Sequence, residues 1–511
     1  ISSASAASAS YYTSSTSSGP VGVAAALAAL KANARAKVTI SDSAANLEQN
    51  FDALNKLVNN ITQITQSDPD QPLNLSATQL QKGTVLLGKI DTDYRLNVSA
   101  VTAANAVKVA ANAHVASMSV TDSSASVSSQ LNALNSNAKL ARINLTTPAT
   151  NLNVTPAQLE THTALWDKMG TSYGLAVSQA TSGQAVSYAS DLRIKSVAIL
   201  DSTAGISENL DALKNLGLRL KEIRTTANQP ALQVSAEQVS KDALVIGKIY
   251  SGYQLAVYGA TTTQAQTLAA NRKVVSIDVV DTTANIAKNL ELLDRIGSDL
   301  NSIHITDLTN PDTQSANPLA ITSAELATYG DIMGKIDSAY KLAVRGANVN
   351  EVQAMSSDER VTSIAVADSS ASISSSLDAL RANAKVVSIV QTGKPVALTL
   401  TAAQLENDAG ALAKLQGSYT LNVSEVSAAH ALSLATGNAR ITALSVSDSG
   451  NAITSQLADL SALGKKLTTV TQSDPGTPLS LSAKDWTVHI GALSKIQGGY
   501  SVALSGVSAS S

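Results

Sequence analysis

Side chains able to do chemistry are sparse in this chain, and the most prominent of them are evenly spaced. There are 39 acidic residues, five histidines and no cysteine among 511 residues. Six acids recur at a fixed interval: Asp42, Asp122, Asp201, Asp281, Asp368 and Asp448 stand 80, 79, 80, 87 and 80 residues apart. A tyrosine follows each Asp by 51 or 52 residues at Tyr94, Tyr173, Tyr253, Tyr419 and Tyr500, and by 59 at Tyr340, whose repeat carries a seven-residue insertion. A row of carboxylates suggests a ladder of metal sites, and a row of tyrosines suggests rings for sugars. The metal reading fails on distance. Equivalent residues three strands apart would stand about 14 Å from one another, whereas calcium gathers six to eight oxygens at about 2.3–2.6 Å. Each Asp ends an apolar strand and is followed by Ser or Thr at the entry to a helix, so Asp42, Asp122, Asp201, Asp281, Asp368 and Asp448 are expected to be N-caps of the helices that follow.

Other candidates are weighed in the same way. The acidic turns Asp68-Pro69-Asp70 and Asp474-Pro475-Gly476 could take a weak calcium ion, although Pro and Asp in a turn are explained by backbone geometry alone. No other cofactor or metal is assigned. One tyrosine per repeat at a strand entrance is expected to pack its ring and hydrogen-bond its hydroxyl. Among the histidines, His162 and His489 occupy one repeat position, eleven before the tyrosine, where other repeats have Gly83, Asp242, Tyr329 and Asp408. A position so freely exchanged reads as a solvated helix face. The chain has no Gly-x-Ser-x-Gly elbow, His-Glu-x-x-His, P-loop or dinucleotide glycine fingerprint. No catalytic residue is named and an enzyme is not expected, though a carboxylate pair brought together only by folding is invisible at this stage.

The elements that position these residues alternate. The strand ending in Asp reads apolar-x-x-apolar-x-apolar-x-Asp, as in Ile441, Leu444, Val446 and Asp448. Helical spacing follows, as in Ile286, Leu290 and Leu293 or Ile373, Leu377 and Leu380. A short strand, a polar turn, a second strand such as Leu398-Thr399-Leu400 and a second helix come next; the tyrosine then opens a third strand, and an Ala-rich helix leads into the next Asp strand. Trp166 and Trp486 stand where other repeats carry aliphatic core residues, so both are expected to fill core. Strand–helix alternation implies parallel pairing. The fold class is α/β: a tandem-repeat parallel α/β solenoid of six repeats with three strand-helix turns each, the alternative being tandem α+β domains that share strands at their borders. Residues 1–20 form a Ser/Ala-rich segment and 21–511 a continuous six-repeat array.

Composition fits a scaffold. Hydrophobic residues make up 44% and aromatics 3%, so the core is aliphatic. A net charge of -3 without any Lys/Arg cluster argues against nucleic acid. No apolar run reaches the roughly 18 residues of a membrane span. The two ends look complementary: the chain stops just after a third strand, at Tyr500 to Ser511, and begins with an Ala-rich helix, Val23 to Lys37, that every earlier third strand continues into. Tyr11, Tyr12, Ala26, Leu27, Leu30, Tyr500, Val502, Leu504 and Val507 are the expected surfaces of a head-to-tail junction between copies.

The stretches Val279-Val280-Asp281-Thr282-Thr283-Ala284-Asn285-Ile286, Leu398-Thr399-Leu400-Thr401-Ala402-Ala403-Gln404-Leu405 and Tyr419-Thr420-Leu421-Asn422-Val423 resemble the tandem segments of large secreted bacterial surface proteins of the adhesin-like, type I-secreted kind. The resemblance implies an extracellular or cell-surface setting and adhesion, matrix or surface-layer roles. Such families often bind calcium, but this chain lacks their Gly-Gly-x-Gly-x-Asp nonapeptides. The expected function is a secreted structural protein whose copies stack into a filament, matrix fibre or surface layer; the alternatives are a stretch of an adhesin stalk and a solenoid module binding glycan or protein.

Overall fold

Parallel strands and short helices alternate along the chain as their sequence periods require. The structure, a computed structural model, describes residues 19–250, 252–308 and 317–507. Tyr11 and Tyr12 lie outside the described residues, as does most of the seven-residue insertion. The chain forms two units, which divide between Leu255 and Ala256.

In the first unit, Leu73–Ser76, Leu96–Val101, Val115–Asp122 and Leu140–Leu145 pair in that order as a four-stranded parallel sheet, and Leu152–Val154, Leu175–Ala180, Ile194–Asp201 and Leu220–Thr225 form the next. In the second unit, Leu319–Thr322, Leu342–Ala347, Val361–Asp368 and Val386–Gln391 repeat the arrangement, followed by Leu398–Thr401, Leu421–Val426, Ile441–Asp448 and Leu467–Gln472. This is a tandem parallel α/β repeat. Each sheet takes its first two strands from one repeat and its Asp strand, with the strand after it, from the next. Neighbouring repeats within a unit are therefore joined by backbone hydrogen bonds. The same topology corrects the expectation that equivalent aspartates climb one ladder, because each four-stranded sheet holds a single Asp strand.

Register stacks like on like. Leu75 lies opposite Val98, Val98 opposite Met118, and Val120 opposite Ile143, which in turn bridges to Met169. Each of these strands alternates buried and outward residues, as a one-sided strand must. Helices cover the buried face. Val127, Leu131 and Leu134 are fully buried, as are Ile373, Leu377 and Leu380. The Ala-rich helices bring Ala106, Ala185, Ala265 and Ala431 into complete burial, where a small side chain lets a helix lie close to a sheet. Trp166 is buried and its indole N–H donates to the Leu159 carbonyl at 3.2 Å, which fits core filling with a satisfied polar tip. Trp486 is half-buried.

Most helices are shorter than their periodicity suggests. The apolar face after Asp122 is shared by Ser124–Ser129 and Leu131–Asn135, which meet at Gln130, while Thr203–Leu213 runs unbroken. Four of the strands opened by the tyrosines carry a bulge: the register slips between Val98 and Val101, Val177 and Ala180, Arg345 and Ala347, and Val423 and Val426. A residue in the left-handed region sits at that slip, Ala100 (φ 54°), Gln179 (φ 58°), Gly346 (φ 71°) or Glu425 (φ 58°). A left-handed residue is one of the backbone states that accommodate an extra residue on one strand of a pair.

Candidate functional site

The six repeat aspartates all do the same thing, and it corrects the sequence expectation. The N-cap of the helix after each is the next residue: Ser43, Ser123, Ser202, Thr282, Ser369 or Ser449 accepts from the backbone N–H three residues on. The Asp reaches instead to the start of the helical segment before its strand or, for Asp368, to the turn just ahead of that segment. Its Oδ2 accepts from Val23 N–H at 2.7 Å (Asp42), Ala103 at 3.0 Å (Asp122), Ser182 at 2.7 Å (Asp201), Thr262 at 3.0 Å (Asp281), Val349 at 3.0 Å (Asp368) and Ala428 at 2.9 Å (Asp448). Its Oδ1 accepts from the N–H of the residue that follows it, as with Thr282 and Asp281 at 2.9 Å. One carboxylate thus ties two successive turns of the chain together. The strand puts the Asp within reach of both N–H groups, which a serine could not span. Burial would push the Asp281 carboxyl up, but hydrogen bonds from Asn285, Thr262 and Thr282 outweigh it and hold the carboxyl below the usual range.

The acidic turns are occupied in the same way. Asp68 accepts from Ala44 N–H at 2.7 Å and Asp474 from Gly450 N–H at 2.6 Å. Among the described residues no group of three or more His, Cys, Asp and Glu side chains is placed to hold a metal ion.

Three of the six repeat tyrosines pack as buried rings, and Tyr173, Tyr253 and Tyr500 are half-buried. Tyr94, Tyr340 and Tyr419 are buried; the hydroxyls of Tyr340 and Tyr419 donate to the carbonyls of Met333 at 3.2 Å and Leu412 at 3.3 Å. Four of the six rings meet a side chain from the start of the following Asp strand. The His114 ring stacks on Tyr94 with centroids 4.0 Å apart, the Arg360 guanidinium lies 5.4 Å from the Tyr340 centroid, and that of Arg440 lies 4.1 Å from Tyr419. Arg193 donates to the Tyr173 hydroxyl at 3.3 Å. These contacts occupy a ring face of Tyr94, Tyr340 and Tyr419. The signal was in the sequence, since His114, Arg193, Arg360 and Arg440 each immediately precede the strand's first apolar residue.

The freely exchanged position eleven before the tyrosine is not a solvated face. It is the bend between two short helices, and it is buried at Gly83, His162, Asp242 and Asp408. His162 fits there because Nε2 lies 2.9 Å from Asn132 Oδ1 and Nδ1 lies 2.9 Å from Thr161 Oγ1. Asp408 has Arg381 Nε at 2.8 Å from Oδ1, and Asp242 has Lys214 Nζ at 3.9 Å. Burial pushes both carboxyls up, and the second carboxylate beside each, Asp378 or Asp211, pushes the same way. Sequence reasoning missed these two carboxylate pairs because their members stand 31 and 30 residues apart. Asp242 and Asp408 are 1% and 0% exposed. Neither can touch a substrate without the fold opening.

The expected junction residues divide. Ala26 and Leu30 are buried under the chain's own Val38–Asp42 strand and Leu27 is half-buried, so the apolar face of the Val23–Ala32 helix is already spent and is not a surface for a neighbour. Tyr500 and Val502 are half-buried. Leu504 and Val507 are 48% and 54% exposed, where the equivalent Val423 and Val426 are 2% and 1% exposed. The difference has a plain cause. Among the described residues Val502–Ser505 pairs with Leu479–Ser482 alone, whereas Leu421–Val426 is flanked on its other side by an Asp strand. No helix of the described residues is long and apolar enough to cross a membrane. No family model, curated protein or solved structure matches the chain.

Proposed function

We propose that the chain is a structural protomer, of extracellular or cell-surface setting, whose repeats serve as a scaffold and whose strand edges stack head to tail with a second copy into a filament, matrix fibre or surface layer. The observation that carries this reading is the one-sided pairing of Val502–Ser505, with Leu504 and Val507 exposed at positions that are core elsewhere. The strand Val38–Asp42 offers the matching edge: among the described residues it pairs with Ile61–Gln66 on one side and meets only Val21 on the other. Interior register sets Val423 opposite Leu444 and Val426 opposite Val446. By that register Leu504 would face Val38 and Val507 would face Ile40. Val21 already bridges to Ile40, so it must yield its place for the joint to form. The setting rests on the resemblance to secreted surface proteins. No reaction, metal or cofactor is part of the reading.

The magnitude of the joint is modest. Full burial of a Leu or Val contributes about 1.5–3 kcal/mol, while association costs about 4–15 kcal/mol. Two half-exposed side chains and a few backbone hydrogen bonds support assembly at high protein concentration or on a surface, not at nanomolar levels. Sedimentation velocity and electron microscopy over a rising concentration series test this. Concentration-dependent rods that disappear in Leu504→Lys/Val507→Lys are expected. A wild-type chain that stays monomeric throughout rejects self-assembly and makes a further repeat of a longer stalk the better partner for that edge.

A further inference from the structure

One helix start in the first unit lacks both of the arrangements by which its counterparts engage the backbone N–H or the hydroxyl. Ala44 N–H donates to Asp68, Ser124 N–H to Thr147 Oγ1 at 3.0 Å, Thr283 N–H to Asp307 Oδ1 at 2.8 Å, and Gly450 N–H to Asp474. The Thr283 hydroxyl adds a second bond, to Asp307 Oδ2 at 2.9 Å. Where the turn has Gly393, the Ser370 hydroxyl is met by Gln391 Nε2 at 2.8 Å and Val396 N–H at 3.2 Å. At Thr203 both solutions are missing, because Ala227 stands in place of the Asp and Thr225 in place of the Gln. Thr203 is 5% exposed and begins the unbroken 11-residue helix Thr203–Leu213. Neither its N–H nor its hydroxyl has a hydrogen-bond partner among the described residues. Thr203 lines a cavity of about 320 Å³, together with Asn228, Gln229, Tyr253 and Gln254.

We propose that this cavity binds a sugar acid, a hexuronate, with its carboxylate on the Thr203 N–H and hydroxyl. The chain itself contains the model for that contact in Asp307 on Thr283. There, too, a second carboxylate sits nearby, since Asp281 accepts from Thr262 and Thr282 as Asp201 accepts from Ser182 and Ser202. A helix N-terminus presents about half a positive charge, which matches a single carboxylate. No Lys or Arg lines the cavity, so a phosphate or sulfate dianion would be under-compensated. The side-chain amides of Asn228, Gln229 and Gln254 can both donate to and accept from hydroxyl groups. The volume lies at the small end of ligand pockets, about 300–1,000 Å³, with room for one ring and not for an extended chain.

Saturation-transfer NMR on the full chain, with sodium glucuronate, glucose and acetate at equal millimolar concentration, tests the assignment. Glucuronate is expected to give transfer, glucose none and acetate a weaker signal. Ala227→Asp, which supplies the carboxylate from the protein's own turn, should abolish the glucuronate signal and raise the melting temperature; Thr203→Val should abolish the signal without that rise. The proposal is overturned if glucuronate shows no transfer with the native chain, or if its signal survives Ala227→Asp. Acetate binding as strongly as glucuronate overturns the sugar part.

Discussion

Asp281 holds Thr262, nineteen residues earlier, by two atoms at once: Oδ2 accepts from the Thr262 N–H at 3.0 Å and from its hydroxyl at 2.9 Å. Through Oδ1 it also takes the Thr282 N–H and the Asn285 side chain at 2.6 Å. A single carboxylate therefore fixes the start of the Ala-rich helix, the end of the Asp strand and the first turn beyond it.

Asp281→Asn keeps the shape but turns an amide donor toward N–H groups. Loss of hydrogen bonds to a charged acceptor is expected to cost about 1–3 kcal/mol. The pH dependence has a defined sign. The folded carboxyl lies below its unfolded value of about 3.9, so its contribution is fully present above that value and is lost as pH falls through the lower folded one. Hydrogen exchange of the Thr262–Ala269 helix in wild type and variant should show a clear gap at pH 7 that closes in acid. An equal gap at all pH values would assign the effect to shape rather than charge.

Asp408 is expected to act with the opposite sign. Its carboxyl is raised by burial and by Asp378, despite Arg381. Its contribution to stability is thus present below the unfolded value of about 3.9 and is lost as pH rises through the folded one. At neutral pH the native state carries a buried charge beside a like charge. Asp408→Asn should raise the melting temperature at pH 7, with the difference shrinking toward pH 4. Arg381 is half-exposed and can turn to water when its partner is neutral. A variant less stable than wild type at pH 7 would mean that the ion pair outweighs desolvation.

The repeat, the parallel strands and the aliphatic core were legible because they rest on period: Val361, Ile364 and Val366 alternate, Ile373, Leu377 and Leu380 step by helix turns, and all are buried. What the periodicity left hidden depends on which turn of chain lies beside which. Asp281 next to Ser or Thr looked like an ordinary cap, and nothing local shows that its carboxylate points back to Thr262. Asp242 and Asp408 looked solvated because the position varies among Gly, His, Asp and Tyr; the variation reflects a bend where each side chain finds its own partner, as His162 finds Asn132. Ala26 and Leu30 looked available for a neighbour only because the sequence does not show the helix folding onto its own strand.

The bulge in four of the strands opened by the tyrosines supplies a test free of packing effects. Ala100, Gln179 and Glu425 hold φ of 54°, 58° and 58°, and all three are exposed. The same bulge uses glycine at Gly346 (φ 71°). A non-glycine residue in the left-handed region costs roughly 1–2 kcal/mol, and glycine gives back about 0.5–1 kcal/mol through its greater freedom when unfolded. Ala100→Gly, Gln179→Gly and Glu425→Gly are each expected to stabilise their repeat by about 0.5–1 kcal/mol. Gly346→Ala should destabilise by a similar amount for backbone reasons alone, since a Cβ there would meet nothing within 4 Å. Urea unfolding followed by hydrogen exchange, repeat by repeat, measures both directions. If the three glycine variants lose stability, the bulge is held by the side chains it carries and not strained by them.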